Sequence, residues 1–565
     1  MRAKKAVEPG KSHFDGGSAG AAGGVAAVAG GDLTTSFGAA ALPRCAPEFA
    51  GVSRAALERW LETLNAIGSV HSALVARHGT VVAEAYWAPY GPDTEQMLFS
   101  VSKTVTALAV GFAISERLFA VTDKVATLLD FAAPDNSDKD NLADLTVHDL
   151  LTMGGGHRDF DVFDELYGAD AHAAMGRLDW VETFLGAKFK TKPGAEFNYN
   201  TASTYLLSAI ITKLTGLTLL DYVTTRLFQP LGIVGANWDL NPQGINMGGF
   251  GLSLKTEDLA KIGQLILGKG QWNGQQLLPA TWISEMTKYQ IGNLSKVPWA
   301  LESPQLADSQ TGYGYQMWIC RFGAVRADGI FGQYVIIWPK YDAVIVMTAA
   351  NNFMEKQINA VWDDLGAAFD DSVLAILPDD DATGLGPVMP TGLQVPPPQG
   401  SAQTATGSRA SGVRYRVPDT LGAEPAGTGL PGARQPLAKG IEGAEVGFEV
   451  LDDETIAVQL PPTAGVQPAL FGPPTEFQAR YGSWHANKDL GRSAQEILYA
   501  AYAWVAETTL EIVAIAVPSL FAWTWRLEFA GADHEILISA TQNVAFAPTD
   551  IYETRACRNH HSRPN

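Results

Sequence analysis

Residues 99–115, FSVSKTVTALAVGFAIS, are the most informative segment of the chain. Ser100 and Lys103 form the pattern S-x-x-K, which occurs once in the sequence. The apolar run 104–115 predicts a buried helix, and positions i and i+3 of a helix share one face. A neutral lysine amine can take the proton of a neighbouring serine, and a helix N-terminus favours the developing oxyanion. The segment therefore predicts a serine nucleophile with a lysine base.

Ser102 is the alternative nucleophile in this segment. It directly precedes Lys103, and adjacent side chains on a helix do not face each other. The bare S-x-x-K pattern is also expected by chance about once in two chains of this length. The assignment to Ser100 therefore depends on the segments that follow.

Two later segments add context. Residues 193–201 read PGAEFNYNT and precede an apolar helix, and residues 327–334 read ADGIFGQY and open a strand. In this order, the three segments resemble the serine hydrolases of the β-lactamase/penicillin-binding-protein superfamily. The resemblance covers roughly residues 50–375. It is closest to the class C β-lactamase-like branch of esterases, D-aminopeptidases and 6-aminohexanoate-dimer hydrolases, and the last of these groups fits best.

The resemblance implies roles for four residues. Ser100 would be the acylated nucleophile, and Lys103 its base or proton relay. Tyr199 stands at the tyrosine of the family's Tyr-x-Asn motif, which passes a proton to the leaving group. The backbone N–H groups of Ser100 and Ile330 would form the oxyanion hole. The implied reaction is acylation of Ser100, departure of the leaving group and hydrolysis by water.

The sequence departs from the family pattern at two positions. Thr201 replaces the usual asparagine of Tyr-x-Asn. The segment Ala327-Asp328-Gly329 lacks the lysine or histidine that helps to hold a β-lactam carboxylate, which favours an ester or a linear amide as substrate. Asp328 would repel an anionic substrate or bind an amine, or else it caps a turn.

Further residues are expected to contact the substrate. Tyr315 and Trp318 are aromatic candidates for the pocket wall, although core packing is the commoner role of such residues. His157 is the one histidine expected near the cleft. The complete set of predicted substrate-binding residues is Thr201, Asp328, Gly329, Tyr315 and Trp318.

Patterning predicts an α/β (α+β) fold with a helical subdomain and a C-terminal β-rich domain. The resemblance implies that the first domain has a β-lactamase-like antiparallel sheet flanked by helices. Residues 1–45 are expected to be a disordered Gly/Ala-rich tail, and residues 46–376 the hydrolase domain. The Pro/Gly/Ser-rich residues 377–412 predict a linker. Residues 413–555 would form the β-rich domain, followed by a tail at 556–565.

Composition limits the classes of partner. The 565 residues carry a formal net charge of −20, and such an acidic protein repels nucleic acid and anionic membranes. The three cysteines lie far apart in the sequence, which argues against a disulfide framework. The histidines are not clustered, which argues against a metal site. No cofactor is expected. Without a convincing signal peptide, a cytoplasmic location is expected, with export as the alternative; the sequence is compatible with a homodimer.

The sequence thus predicts a serine hydrolase that cleaves a small-molecule ester or amide through an acyl-enzyme. Two alternatives stay open. One is a non-catalytic binding or scaffold protein that retains the fold, and the other is a β-lactamase or D-amino-acid peptidase. The presence together of Ser100, Lys103 and Tyr199 argues against the first alternative.

Overall fold

A computed structural model describes residues 41–132, 138–157, 179–293, 308–369, 386–417, 443–461, 475–488, 490, 496–517, 519–530, 535–543 and 550–558. Most of the predicted N-terminal tail, residues 1–40, lies outside these ranges. So does the end of the C-terminal tail, residues 559–565.

The described helices belong mainly to the N-terminal two thirds of the chain. The α-helices are α1 (Arg54–Ile67), α2 (Val101–Ser115), α3 (Val125–Leu128), α4 (Lys139–Asp144), α5 (Val147–Leu151), α6 (Trp180–Leu185), α7 (Thr201–Thr215), α8 (Leu219–Val223), α9 (Gln229–Leu231), α10 (Thr256–Leu267), α11 (Ala280–Thr287), α12 (Met354–Ala360) and α13 (Ala405–Ala410). The 3-10 helices are Pro47–Ala50, Arg321–Gly323 and Pro339–Tyr341, and the π-helical turns are Thr224–Phe228 and Val361–Leu365.

The strands fall into two groups separated by residues 350–413. Those of the first group are β1 (Val70–Arg77), β2 (Thr80–Tyr86), β3 (Glu95–Met97), β4 (Asn237–Trp238), β5 (Leu252–Lys255), β6 (Gln271–Trp272), β7 (Gln275–Gln276), β8 (Trp318–Ile319), β9 (Val325–Gly329), β10 (Gln333–Trp338) and β11 (Ala343–Ala349). Those of the second are β12 (Arg414–Arg416), β13 (Glu445–Val450), β14 (Thr455–Gln459), β15 (Glu476–Tyr481), β16 (His485–Asn487), β17 (Ile497–Ala506), β18 (Thr509–Val517), β19 (Ala522–Ala530), β20 (Glu535–Gln542) and β21 (Asp550–Arg558).

The central sheet is antiparallel, with the strand order β2-β1-β11-β10-β9-β8. Every residue of β1 and β11 is buried, because helices cover both faces. Leu74 pairs with Val346, and both face the core that contains α2, α7 and α10. Val75 pairs with Ile345, and both face α1. Strands from the two ends of this region thus meet in one sheet, with the helical part inserted between them.

The second group of strands forms a barrel. Antiparallel pairs run in the order β15-β14-β13-β12-β21-β20-β19-β18-β17-β16. A parallel pairing of β15 with β17, at Arg480 and Ala501, closes the circuit. Alternate residues along β19 point inward, as expected for a strand with one face in a core. The predicted antiparallel sheet with flanking helices and a C-terminal β-rich domain is confirmed.

The segment predicted as a linker makes ordered contacts where it is described. Val388 N donates to Val82 O at 2.9 Å, and Val395 N donates to Ala88 O at 2.8 Å. Farther on, Ser401 exchanges backbone hydrogen bonds with Trp504 of the barrel. The segment therefore runs along the hydrolase domain before it enters the barrel.

Within the described ranges, no single helix is long and apolar enough to cross a membrane. One bent pair, Thr201–Thr215 with Leu219–Leu231 at 75°, meets the length and composition criteria jointly.

Candidate active site

Ser100 lies at the N-cap of helix α2, at the start of the apolar segment. The residue before it, Phe99, has a φ of 45°, so the chain turns sharply into the helix. Ser100 is half-buried, whereas the first residues of the helix are buried. The hydroxyl is thus presented at a helix N-terminus, where the backbone dipoles favour negative charge.

The Lys103 amine is surrounded by three oxygen atoms. Nζ donates to Ser100 Oγ at 2.9 Å, to Gly249 O at 2.8 Å and to Thr201 Oγ1 at 3.2 Å. Lys103 is 1% exposed. Burial lowers the pKa of its amine to about 7, although the Asp328 carboxylate acts in the opposite direction. A substantial fraction of Lys103 is therefore neutral near pH 7.

The three partners of Lys103 decide what the amine can do in each protonation state. As an ammonium it has three protons, one for each oxygen atom. As a neutral amine it has two protons and a lone pair. When Gly249 O and Thr201 Oγ1 accept these two protons, the lone pair points toward Ser100. In this state Lys103 is placed to take the Ser100 proton.

Tyr199 lies next to the Lys103 amine. Its ring centroid is 5.0 Å from Lys103 Nζ, and the ring stacks on Trp318 with centroids 5.6 Å apart. Burial raises the pKa of the Tyr199 hydroxyl well above its ordinary value, and a hydrogen bond with Ser100 opposes that shift. Tyr199 is therefore a neutral phenol, which can both accept and donate a hydrogen bond.

Thr201 and Gly249 hold Lys103 from two different elements. Asn200 Oδ1 accepts from Ala202 N at 2.8 Å and caps helix α7, so Thr201 is fixed in its first turn. A Cβ atom at Gly249 would lie 3.1 Å from Thr201 O and 3.4 Å from Lys103 Nζ. Gly249 therefore lets a backbone carbonyl approach the buried amine closely.

Gly329 brings strand β9 against the segment that leads to Ser100. A Cβ atom at Gly329 would clash with Leu98 O, so only glycine permits this approach. Ile330 follows at the turn between β9 and β10. The chain thus brings the turn that carries the Ile330 amide next to the segment that carries Ser100. The oxyanion-hole role of both amides stays a prediction.

Asp328 is paired with a buried arginine. Arg326 Nε donates to Asp328 Oδ2 at 2.8 Å, and the side chains are 3% and 14% exposed. Arg326 Nη1 also donates to Asp308 O at 2.8 Å and to Cys320 Sγ at 3.2 Å. Burial raises the pKa of the Asp328 carboxyl, and Arg326 and Lys103 oppose this shift. Asp328 is thus part of a buried ion pair beside Lys103, and its contact with a substrate stays a prediction.

The two aromatic candidates occupy different places. Trp318 packs with Tyr199, Phe197 and Tyr313 in a small aromatic cluster. Tyr315 lies in the main core, and its hydroxyl is 2.9 Å from His148 Nδ1. Trp318 therefore flanks the predicted proton relay, whereas Tyr315 is joined to α5. A substrate contact for either residue stays a prediction.

Ser102 and His157 make contacts that explain their burial. Ser102 Oγ donates to Phe99 O at 2.6 Å and accepts from Leu252 N at 3.2 Å. His157 packs on Phe189 with ring centroids 4.1 Å apart and ring planes at 33°, and burial lowers the pKa of its imidazole to about 4. Ser102 thus braces the turn before α2, and His157 is a neutral packed side chain.

Sequence reasoning missed two residues of this site: Gly249, whose carbonyl accepts from Lys103, and Arg326, which pairs with Asp328. Nothing in the local sequence indicated that the Gly249 carbonyl meets Lys103, 146 residues away in sequence. Arg326 and Asp328 are two residues apart on one strand, so they share a face; that spacing was the available signal. Within the described residues, no group of three or more His, Cys, Asp or Glu side chains is arranged to hold a metal ion.

The chain is similar to several known proteins. The family model described as Beta-lactamase matches residues 57–367. A 6-aminohexanoate-dimer hydrolase of Paenarthrobacter ureafaciens is 27% identical over 282 residues, which cover 48% of this chain and 70% of that protein. A D-aminopeptidase of Brucella anthropi is 29% identical over 170 residues, or 28% of this chain and 31% of that protein. The octameric penicillin-binding protein homologue of Pyrococcus abyssi has a TM-score of 0.43 and 15% identity, covering 86% of this chain and 97% of that one.

Proposed function

The chain belongs to the β-lactamase family of serine hydrolases, and from this premise we propose that it cleaves a small ester or linear amide through an acyl-enzyme on Ser100. One observation carries the proposal. Lys103 Nζ lies 2.9 Å from Ser100 Oγ, and burial lowers the pKa of this amine to about 7. A base with such a pKa is available at neutral pH and is still strong enough to accept the proton.

In the proposed acylation, neutral Lys103 takes the Ser100 proton as Oγ attacks the substrate carbonyl carbon. The carbonyl oxygen then becomes an oxyanion. The backbone N–H groups of Ser100 and Ile330 would donate to it, with the N-terminus of α2 adding a favourable dipole. The fixed donors need no reorganisation during the step, which is the main source of rate enhancement at such sites.

Leaving-group departure needs the proton that Lys103 has taken. Tyr199 forms a hydrogen bond with Ser100 and has a raised pKa. It can donate its proton to the departing oxygen or nitrogen while it accepts one from Lys103. The bond from carbon to the leaving group breaks, and the acyl group stays on Oγ. Water then attacks the ester, its proton passes to the same relay, and Ser100 Oγ regains a proton as the acid departs.

The substrate class follows from the third segment and from the relatives. Ala327 stands where β-lactam-hydrolysing members have a basic residue, and the nearby Arg326 is already bonded to Asp328. This arrangement favours a substrate without an obligatory carboxylate at that point. The two relatives are named as a 6-aminohexanoate-dimer hydrolase and a D-aminopeptidase; both names describe amide hydrolysis, which supports a linear amide.

A covalent probe tests the proposal. We expect wild-type protein to gain one fluorophosphonate adduct by intact mass, mapped to Ser100, and to hydrolyse p-nitrophenyl acetate or a small p-nitroanilide. The Ser100→Ala variant should lose both properties, whereas the Ser102→Ala control should keep the adduct. Nitrocefin turnover that exceeds ester and anilide turnover would instead indicate a β-lactamase. A folded wild type without adduct or turnover would overturn the proposal in favour of a binding protein.

A further inference from the structure

Two aromatic residues with strained backbones flank the predicted oxyanion hole. Phe99 precedes Ser100 and has a φ of 45°, and Phe331 follows Ile330 and has a φ of 69°. Their rings meet edge to face, with centroids 5.5 Å apart and planes at 84°. Left-handed backbone is rare for bulky residues, and it persists only where the surrounding structure enforces it. The neighbours of these two residues are therefore important for the direction of both amides.

Those neighbours belong to the C-terminal barrel. Phe99 and Phe331 are buried in the same hydrophobic cluster as the interior and one end of the barrel. Ile330 is half-buried and packs against this cluster. The barrel residues Leu520 and Phe521, in the connection from β18 to β19, are 0% and 2% exposed within it. One apolar core is thus shared by the barrel and by both residues that bracket the oxyanion hole.

Hydrogen bonds also connect the barrel with the part of the hydrolase domain that contains Phe331. Asn543, just after β20, accepts from Ala522 N at 2.9 Å through Oδ1. Its Nδ2 donates to Leu520 O at 3.0 Å and to Ala350 O at 3.4 Å. Ala350 belongs to the hydrolase domain, and the next residue, Asn351, donates its N–H to Phe331 O at 3.1 Å. A short chain of contacts therefore leads from the barrel to the residue beside Ile330.

We propose that the C-terminal barrel positions the oxyanion hole of the hydrolase domain, and that Asn543 and Leu520 are the positioning residues. This inference rests on the proposed function. The connection from β18 to β19 packs against Phe99 and Phe331. This packing keeps the N–H groups of Ser100 and Ile330 pointing toward the same oxygen position. Neither Asn543 nor Leu520 touches the substrate in this role. The barrel therefore contributes to turnover, in addition to its contribution to stability.

The Asn543→Asp variant tests the contact with little change of shape. It keeps Oδ1 for Ala522 N but places an oxygen opposite the Ala350 and Leu520 carbonyls, so that contact becomes repulsive. We expect kcat to fall about 10- to 100-fold, the scale set by small misplacements in an active site, with KM within about two-fold. Fluorophosphonate labelling, which also forms a tetrahedral centre, should slow by a similar factor. The Asn543→Gln variant, which restores a donor, should recover part of the loss.

The matched control removes another hydrogen bond made by the barrel, this time to the segment predicted as a linker. Trp484 Nε1 donates to Val395 O at 3.1 Å, and Trp484→Phe should leave kcat within about two-fold, since this contact does not lead to Phe331. If Asn543→Asp is not recovered folded, Leu520→Ala is measured in the same assays. A folded variant with wild-type kcat and labelling rate overturns the inference, provided that the wild type is active. A wild type that neither labels nor turns over fails the proposed function instead.

Discussion

Lys103 Nζ donates to Ser100 Oγ at 2.9 Å from a site where only 1% of the lysine is exposed. Burial and proximity act together here. Burial lowers the pKa of the amine to about 7, and proximity places it within reach of the Ser100 proton. The same two facts determine how activity should depend on pH.

The kcat/KM of ester hydrolysis should rise with pH through a midpoint near 7, because the base form of Lys103 appears above its pKa of about 7. The Lys103→Arg variant keeps the positive charge at every accessible pH, so it should lose about 100-fold or more and show no such rise. Initial rates between pH 5 and 9 measure both effects. A wild-type profile that is flat across pH 7 would remove Lys103 from the role of base.

Thr201 should contribute through its hydroxyl, which accepts from Lys103 Nζ at 3.2 Å. Thr201→Val keeps the shape but leaves one N–H of Lys103 without this acceptor, so the lone pair is no longer confined to the Ser100 direction. We expect kcat to fall about 10-fold or more, while Thr201→Ser stays within about three-fold. Equal rates for the valine and serine variants would show that the hydroxyl is not used.

Part of this site could be predicted from the sequence because its key contacts are local. Ser100 and Lys103 lie one helical turn apart, so S-x-x-K alone places them together. Tyr199 and Thr201 came from a short segment of recognisable order. The Gly249 carbonyl and the barrel contacts of Phe331 connect distant parts of the chain, and no local pattern specifies such contacts. Tyr315 shows the converse: its aromatic character did not reveal the hydrogen bond to His148.

In the fold, too, the strands could be predicted from local sequence, whereas contacts between distant segments could not. Apolar runs such as residues 343–349 and 522–530 are typical of strands, so the strands themselves could be predicted from local sequence. The segment 377–412 was predicted to be a linker because it is rich in proline, glycine and serine. Its backbone hydrogen bonds to Val82 and Ala88 depend on partners about 300 residues away, which composition does not reveal.

Gly329→Ala should damage turnover more than folding. The added Cβ would meet Leu98 O, so strand β9 must move away from the segment before Ser100, and the Ile330 amide moves with it. We expect kcat to fall about 100-fold, the scale for the loss of one oxyanion donor. At Gly386 nothing lies within 4 Å of an added Cβ, so Gly386→Ala is the control. Similar kcat values for the two variants would contradict the proposed position of Ile330.

Asp328 should act on the pKa of Lys103 rather than on the substrate. Its carboxylate raises the pKa of that amine, against the larger effect of burial, and it holds Arg326 through Nε at 2.8 Å. Asp328→Asn keeps an oxygen for Arg326 but removes the negative charge, so the ammonium form of Lys103 is less favoured. The midpoint of the kcat/KM profile should therefore move to lower pH than in the wild type.

Asp328→Leu provides the contrast for this prediction. Both variants remove the carboxylate charge beside Arg326, but Asp328→Leu also removes the oxygen that accepts from Nε. Asp328→Leu should therefore lower the free energy of unfolding by about 3–5 kcal/mol, and Asp328→Asn, which keeps an acceptor, should lower it less. Thermal unfolding of both variants, measured beside their pH profiles, separates the structural effect from the electrostatic one. A midpoint in Asp328→Asn that stays in place or moves to higher pH would show that Asp328 does not raise the pKa of Lys103. An increase in KM for amine-bearing substrates alone would instead assign Asp328 to substrate binding.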